Sequence, residues 1–323
     1  MNRRNLLGVA TAFTAMMLLG GVAGAQQYPT KPIKLIVPFG AGSTADVIAR
    51  LIGNSVGAEF GQQFVIENKP GAGGTIGGAE AARAPNDGYT LVLGTVASHA
   101  VGPLSMQGVT YDPITDFAAI TMIADAPAIM VVHPSVPASN LAEFIAYVKK
   151  EGNLNYASAG TGTTTHLAGE ALKAKAGINL THVPYKAVGQ AITDIVSGEV
   201  KMMFYQVPSV KQFIDTGKLK AIAVTTAKPI ALMSNVPTIA ATYPGFDFSA
   251  WFGIMAPAGT PKPILEKLHA AILKAMNTPE MKKQLEAQGL VASGIGPDQF
   301  AAMMKEAMPR WKETIEAAGT KTR

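Results

Sequence analysis

The chain has 323 residues, no cysteine and a formal charge of +5, and charged residues make up only 15% of it. These values exclude a disulfide framework, a thiolate nucleophile and a Cys-ligated metal, and without a lysine or arginine block they argue against nucleic acid as a partner. A chain of this length exceeds what one hydrophobic core usually serves, so we expect two domains.

The first 25 residues have the pattern of a removable export signal. Arg3-Arg4 gives a charged start, residues 6–22 are apolar and small, and Ala23-Gly24-Ala25 is an A-x-A cleavage site. We predict cleavage after Ala25 and a periplasmic location, by either the general or the twin-arginine route. No later stretch is apolar over the roughly 20 residues that a membrane-spanning helix needs, so no stable membrane insertion is expected.

Short runs rich in Val and Ile then alternate with helical patterns, which is typical of parallel α/β layers. The predicted strands are Ile33–Val37, Phe64–Glu67, Thr90–Leu93, Ile129–His133, Asn155–Ala157, Leu180–Val183, Met202–Phe204 and Ala221–Thr225. The predicted helices are Ala45–Gly57, Leu141–Lys150, His166–Gly177, Val188–Ser197, Pro261–Met276, Pro279–Gly289 and Pro297–Ala317.

Proline and glycine residues cluster at Ala126-Pro127 and at Tyr243-Pro244-Gly245, close to where the alternation of strands and helices changes. They predict two hinges. The fold class we expect is α/β, with two Rossmann-like domains joined by two hinge crossings. The first domain would comprise residues 26–126 and 250–323, and the second residues 127–249. Such an arrangement leaves a cleft that can close on a ligand, whereas one large sheet with ordinary loops is the alternative.

Two small-residue loops each separate a predicted strand from a predicted helix. The first is Pro38–Asp46 and the second is Ser158–His166. Glycines let the backbone approach a ligand closely, hydroxyls add neutral donors, and the first turn of the following helix offers free N–H groups that favour an anion. Two such loops predict a cleft that grips an anion from both sides.

Several longer motifs follow one another in a distinctive order. They begin with Tyr28–Ile33 and the first loop with Ile48-Ala49-Arg50, and they continue with Glu67–Gly77, Pro85–Leu91, Tyr156–Gly160, Thr165–Glu170, His182–Lys186 and Phe252–Pro261. With these motifs the sequence resembles the Bug family of solute receptors, the periplasmic binding proteins of tripartite tricarboxylate transporters. The resemblance extends over nearly the whole mature chain.

The resemblance implies the flytrap architecture of type II periplasmic binding proteins. It also implies a receptor that is not an enzyme, has no cofactor, binds a small carboxylate and delivers it to membrane permease subunits. In the family the two loops hold one ligand carboxylate through backbone groups, hydroxyls and bridging water. Carried over to this chain, the ligand-binding residues would be Phe39, Ala41, Ser43, Thr44, Asp46, Ser158, Gly160, Thr161, Thr163, Thr164, Thr165 and Tyr205. Asp46 has a second interpretation, because an acid in a first helical turn is also ordinary cap and dipole chemistry.

Two departures from the family pattern concern ligand identity. The family's first loop usually carries another proline and a glycine pair where this chain has Gly40 and Ser43-Thr44. The family also commonly has an aspartate where this chain has Tyr205, followed by Gln206. Losing that acid argues against an amino group at the far end of the ligand, and a phenol with an amide suits a carboxylate, a hydroxyl or a ring.

An exported nicotinamide-dependent oxidoreductase is the alternative function. Gly40, Gly42 and Ala45 follow a predicted strand, and Glu67 ends the next one, as in a dinucleotide fingerprint. Pro38-Phe39 separates that strand from the glycines, and the second loop would have no role. No metal site is expected, since His166 and Glu170 share a helix face but two ligands do not make a site.

Overall fold

The structure is a computed structural model that describes residues 28–185 and 187–319. The predicted export signal and Lys186 lie outside these ranges. The described residues form the strands β1 Ile33–Val37, β2 Phe64–Asn68, β3 Thr90–Thr95, β4 Phe117–Ala126, β5 Ala128–Val132, β6 Leu154–Ser158, β7 Leu180–Pro184, β8 Met202–Gln206, β9 Lys220–Val224, β10 Ala250–Pro257 and β11 Val291–Ile295. The α-helices are α1 Thr44–Phe60, α2 Thr75–Ala82, α3 Gly102–Ser105, α4 Leu141–Glu151, α5 Thr164–Ala176, α6 Val188–Ser197, α7 Val207–Asp215, α8 Lys262–Met276, α9 Pro279–Ala287 and α10 Pro297–Ala317.

The strands form two sheets. The first has the order β11-β4-β10-β3-β1-β2, and the second has the order β7-β6-β8-β5-β9. In the first sheet β1 runs parallel to β2 and β3, whereas β10 runs antiparallel to β3 and β4. In the second sheet β6 runs parallel to β7 and β8, whereas β5 runs antiparallel to β8 and β9. The expected parallel strands are thus present in both sheets, and each of the two small-residue loops follows one of them, but each sheet also contains antiparallel pairing that the sequence pattern did not predict.

The chain crosses between the sheets at two neighbouring places. β4 and β5 are separated by Pro127 alone, and the return passes between β9 and β10. Thr225 joins the two crossings, because its N–H donates to Ala128 O at 2.9 Å and its Oγ1 donates to Phe248 O at 2.8 Å. Ala250 pairs with Ala126 in the first sheet. Two adjacent, hydrogen-bonded connections are the geometry of a hinge between two bodies.

The domain boundaries at 126/127 and 249/250 stay predictions. They coincide with the change of sheet, but sheet membership alone does not tell which loops move with which sheet. The C-terminal helix α10 illustrates this, since it packs on β4 of the first sheet and also contacts α5 beside the second sheet.

Every predicted strand and helix is present within a few residues of its expected bounds. The sequence did not reveal β4, β10, β11, α2, α3 or α7. β10 is buried along its whole length, so it lacks the alternation that marks a half-buried strand. Within the described ranges, no helix is both long enough and apolar enough to span a membrane.

Candidate functional site

The first loop turns directly from the end of β1 into α1. Ser43 is the N-cap of α1, and its Oγ accepts a hydrogen bond from Asp46 N at 3.3 Å. Gly42 has a φ of 77°, a left-handed conformation that glycine adopts without strain. Ser43 N donates back to Gly40 O at 3.2 Å, which closes the turn. The first turn of α1 thus follows the loop directly, and the N–H groups of Thr44 and Ala45 have no acceptor within the helix.

The second loop repeats this construction between β6 and α5. Thr163 is the N-cap, its Oγ1 accepts from His166 N at 3.3 Å, and its own N–H donates to Gly160 O at 3.3 Å. Gly162 has the same φ of 77°. The two loops are therefore equivalent in structure, and each presents a helix N-terminus that attracts negative charge.

The two helix N-termini line one cavity of about 50 Å³. One side belongs to the first sheet and its loops, and the other to the second sheet. From the first come Phe39, Ser43, Thr44, Ala45, Thr95, Ala97, Ala250 and Phe252. From the second come Ala159, Thr163, Thr164, Tyr205 and Gln206. We call this space between the two sheets the central cavity.

Several polar groups around the central cavity have no protein partner among the described residues. Thr44 Oγ1 is buried and makes no hydrogen bond. Neither Thr164 Oγ1 nor the Tyr205 hydroxyl is paired with a described residue, and Tyr205 is only 3% exposed. Buried polar groups are normally paired, because leaving one unsatisfied costs about 1–3 kcal/mol. These three groups are therefore available to a ligand or to water.

A second cavity, of about 510 Å³, adjoins the first. Phe39, Ser43, Ala159 and Tyr205 line both, so the two spaces meet at these side chains. The rest of its lining comes from the two loops and from the N-terminal turns of α6 and α7, and includes Ala41, Ser158, Tyr185, Val188, Gly189, Ile192, Pro208 and Ser209. We call it the outer cavity.

Asp46 does not line either cavity, and its contacts explain why. Its Oδ2 accepts from Gly42 N at 2.9 Å and from Arg50 Nε at 3.0 Å. Its Oδ1 accepts from Asn68 Nδ2 at 3.1 Å. Burial works to raise the pKa of Asp46, but the hydrogen bonds from Arg50, Gly42 and Asn68 outweigh it and hold the pKa below its ordinary value. Asp46 is therefore a charged brace for the first loop, in line with the cap interpretation of its position.

His166 takes the corresponding place in the second loop. Its Nδ1 accepts from Gly162 N at 3.1 Å, and its ring stacks on His182 with 3.9 Å between centroids. Burial lowers the pKa of His166 to about 4 and that of His182 to about 3, so both rings are neutral at pH 7. Glu170 accepts instead from the Tyr156 hydroxyl at 2.9 Å. Among the described residues, no group of three or more His, Cys, Asp and Glu could hold a metal ion.

The predicted site residues divide into a lining set and a supporting set. Phe39, Ser43, Thr44, Thr163, Thr164 and Tyr205 line the central cavity, and Ala41 and Ser158 line the outer one. Asp46, Gly160, Thr161 and Thr165 line neither, and Thr165 Oγ1 accepts from Ala159 N at 3.1 Å within its own loop. Ligand contact by the lining set stays a prediction.

Sequence analysis did not identify Thr95, Ala97, Ala250 or Phe252, which complete the central cavity. Thr95 is the last residue of β3 and Ala97 lies two residues beyond it, and ligands of open α/β sheets lie outside the carboxyl ends of strands. That rule, applied to β3, would have found them.

The oxidoreductase alternative required Glu67 to face a nucleotide. Its carboxylate instead bonds Lys69 Nζ at 2.7 Å and Lys34 Nζ at 3.3 Å, and Glu67 lines neither cavity. The carboxylate that would bind a ribose hydroxyl is thus paired with two lysines, and Gly40 and Gly42 of the first loop line the outer cavity.

Comparisons with known proteins agree with this architecture. Residues 48–320 match the sequence profile of the family described as tripartite tricarboxylate transporter family receptor. BugT from Bordetella pertussis is 32% identical over 324 residues, which is 99% of this chain and 99% of BugT.

Three solved structures are similar along their whole length. The periplasmic binding protein BugD is 34% identical with a TM-score of 0.85, covering 92% of this chain and 100% of BugD. A protein from R. palustris, solved with adipate, is 33% identical with a TM-score of 0.86, at 90% and 98% coverage. MatC from Rhodopseudomonas palustris, solved with malate, is 30% identical with a TM-score of 0.83, at 89% and 100% coverage. They confirm the predicted two-domain flytrap fold.

Proposed function

The chain belongs to the family of tripartite tricarboxylate transporter receptors, and on that premise we propose that it captures a small carboxylate between its two sheets for delivery to a tripartite transporter. The family is one of solute-binding receptors and not of enzymes. Neighbours of known structure hold adipate and malate, and both are carboxylates.

One observation carries the proposal. Two equivalent loops place the N-termini of α1 and α5 on opposite sides of one cavity, and Thr44 Oγ1 there has no protein partner. A carboxylate in the central cavity would accept from the N–H groups of both first turns and from Thr44 and Thr164. Neutral donors of this kind bind an anion firmly without forming a salt bridge, and so permit its release.

The remaining members of the predicted set take distinct parts in this proposal. Ser43 and Thr163 cap the helices, Phe39 and Tyr205 bound the ligand's body, and Ala41 and Ser158 border the outer cavity. Gly160, Thr161 and Thr165 shape the second loop, and Asp46 braces the first.

The location and the partners complete the proposal. The export signal would be cleaved after Ala25, which releases the receptor into the periplasm. Closing around the ligand brings the two sheets together, since a ligand favours the state that binds it more tightly. Membrane permease subunits would then recognise the closed form.

A binding screen tests this function. The mature protein is titrated calorimetrically with monocarboxylates, dicarboxylates, tricarboxylates, acidic amino acids and nicotinamide dinucleotides, and each sample is also melted. We expect at least one carboxylate class to bind and to raise the melting temperature, because ligand at about 100 times its Kd stabilises by about 2.7 kcal/mol. Binding of dinucleotides alone would overturn the proposal in favour of the oxidoreductase.

A further inference from the structure

One of the motifs found in the sequence, Glu67–Gly77, has no part in the proposed function. It contains four consecutive residues with a positive φ, which are Gly71 (132°), Ala72 (45°), Gly73 (61°) and Gly74 (96°). An alanine rarely adopts a positive φ, so the surrounding structure must hold the backbone in this shape. We call these four residues the glycine loop. They follow β2 and line neither cavity.

The glycine loop lies next to the second loop, on the other side of the cleft. A Cβ placed on Gly73 would lie 3.4 Å from Thr161 O. Gly73 comes after β2 of the first sheet, whereas Thr161 comes after β6 of the second sheet. Thr161 also lines neither cavity, so the two sides of the cleft approach each other here at a place outside both cavities.

Met106 fills the gap between the two loops. It follows α3, is partly buried and lines neither cavity. A Cβ on Gly73 would lie 2.9 Å from Met106 Cε, and a Cβ on Gly162 would lie 2.8 Å from the same atom. Real Cβ atoms do not come this close, so the methyl group occupies a space that exists because both neighbours are glycines. A flexible thioether side chain is well suited to fill an irregular gap of this kind.

This contact depends on the relative position of the two sheets. Gly73 and Met106 follow β2 and β3 of the first sheet, and Gly162 follows β6 of the second. If the second loop moved away from the first sheet, water would reach the Met106 methyl group on that side. Apolar surface that is buried in only one of two states stabilises that state.

We propose that Met106, Gly73 and Gly162 form a latch that stabilises the closed arrangement of the receptor. The inference rests on the proposed function, because the latch favours the state in which the sheets close around a carboxylate. Met106 lines neither cavity, so it acts on the equilibrium between open and closed states and not on the ligand itself. The latch therefore raises the affinity for every carboxylate by the same factor.

The variant Met106→Ala tests the latch in the mature protein. The Kd is measured for succinate, malate, adipate and citrate, which differ in length and charge. We expect the Kd of each one that binds to rise about three- to tenfold, and by the same factor, because one buried methyl-sized group corresponds to roughly fourfold in an equilibrium constant. The loss should lie in faster dissociation, since the latch forms after the ligand has entered.

Ile76→Ala is the matched control. Ile76 is 53% exposed, and a Cβ on Gly71 would lie 2.5 Å from Ile76 Cδ1. This variant also truncates an apolar side chain at the glycine loop but leaves Met106 in place, so its Kd values should equal those of the wild type.

Hydrogen exchange in the absence of any carboxylate is a second measurement. Met106→Ala should speed the amide exchange of residues 71–74 and of residues 160–163 together, because the latch packs the two loops on each other. Ile76→Ala should leave the exchange of residues 160–163 unchanged.

The outcomes separate the latch from the function on which it rests. A Kd that rises for some of these carboxylates and not for others would overturn the latch, because Met106 would then select among ligands. An unchanged Kd for every carboxylate that binds would overturn it as well. If no carboxylate bound at all, the proposed function would fail, and the latch would stand or fall on whether Met106→Ala speeds exchange in residues 160–163.

Discussion

Replacing Thr44 by valine should weaken ligand binding without lowering the stability of the ligand-free protein. Thr44 is 9% exposed at the start of α1, and its hydroxyl has no partner. Valine has the same shape and nearly the same helix propensity, so the exchange replaces one hydroxyl by a methyl group. A buried hydroxyl without a partner costs about 1–3 kcal/mol, although water in an open cleft offsets much of that cost. We therefore expect the ligand-free variant to be as stable as the wild type or up to about 1 kcal/mol more stable.

Binding should change in the opposite direction. A hydroxyl that donates to a carboxylate contributes about 1.5–3 kcal/mol, so its loss weakens affinity roughly 10- to 150-fold. Calorimetric titration with the tightest carboxylate of the screen measures the Kd, and thermal melts of the same ligand-free samples measure stability.

Thr95→Val is the matched control for this experiment. Thr95 also lines the central cavity, but its Oγ1 already accepts from Ser98 N at 3.2 Å. This variant should lose stability and keep most of its affinity. The reasoning would be refuted if Thr44→Val lowered the melting temperature and left the Kd unchanged, because the hydroxyl would then serve the fold and not the ligand.

Three further outcomes are expected. Asp46→Asn should lower the free energy of unfolding by about 1–3 kcal/mol and also weaken ligand binding, because a single amide oxygen cannot replace both acceptors that brace the first loop. Gly169→Ala should destabilise by about 1–3 kcal/mol, since the new Cβ would lie 2.2 Å from Tyr156 Cε2. Stability should fall as the pH drops from 6.5 towards 4, because in the unfolded chain His166 and His182 take up protons near 6.5, whereas burial lowers their folded pKa values to about 4 and about 3. Between those pKa values, each histidine lowers the free energy of unfolding by about 1.4 kcal/mol for each unit by which the pH falls. Denaturant melts at several pH values measure this slope.

Each of these outcomes has its own check. Calorimetry of Asp46→Asn should show weaker binding although the residue lines neither cavity, and an unchanged Kd would mean that the loop keeps its shape without the brace. Gly189→Ala is the control for Gly169→Ala, since nothing lies within 4 Å of the new Cβ, and it should be neutral or stabilising. His182→Gln should flatten the pH slope, and a slope equal to that of the wild type would assign the loss of stability to other groups.

Local sequence signals predicted those elements whose burial follows a simple period. β1 and α6 were predicted at their observed bounds and α4 to within one residue, because the period of their apolar residues is clear and a glycine follows each helix. β4 and β10 were not found because strands buried on both faces read as continuous apolar runs. β11 is a short strand with an exposed valine, and pairing with β4 is what makes it a strand.

The site was predicted at the level of loops but not of atoms. The residue types of both loops predicted helix N-termini facing an anion, and the structure places both at one cavity. Which hydroxyl remains free depends on where the helix begins. Thr163 uses its Oγ1 to cap α5 and bonds Gly160 O at 2.7 Å, which leaves the next hydroxyl, on Thr164, available. The predicted start of α5 at His166 was two residues late, so this division of roles was not visible.

The donors of the central cavity are divided between the first sheet and the second sheet, which the chain connects at Pro127 and again between β9 and β10. A ligand held in this way is bound bivalently. If each half-site contributes about 3–4 kcal/mol, each alone retains only millimolar affinity, while both together reach the micromolar range or better. If the proposed permease subunits held the two sheets a few ångströms apart, the ligand would leave without competition for any of its hydrogen bonds. The extent of opening would then set the residence time of the ligand, and the chemistry of the pocket would not need to change.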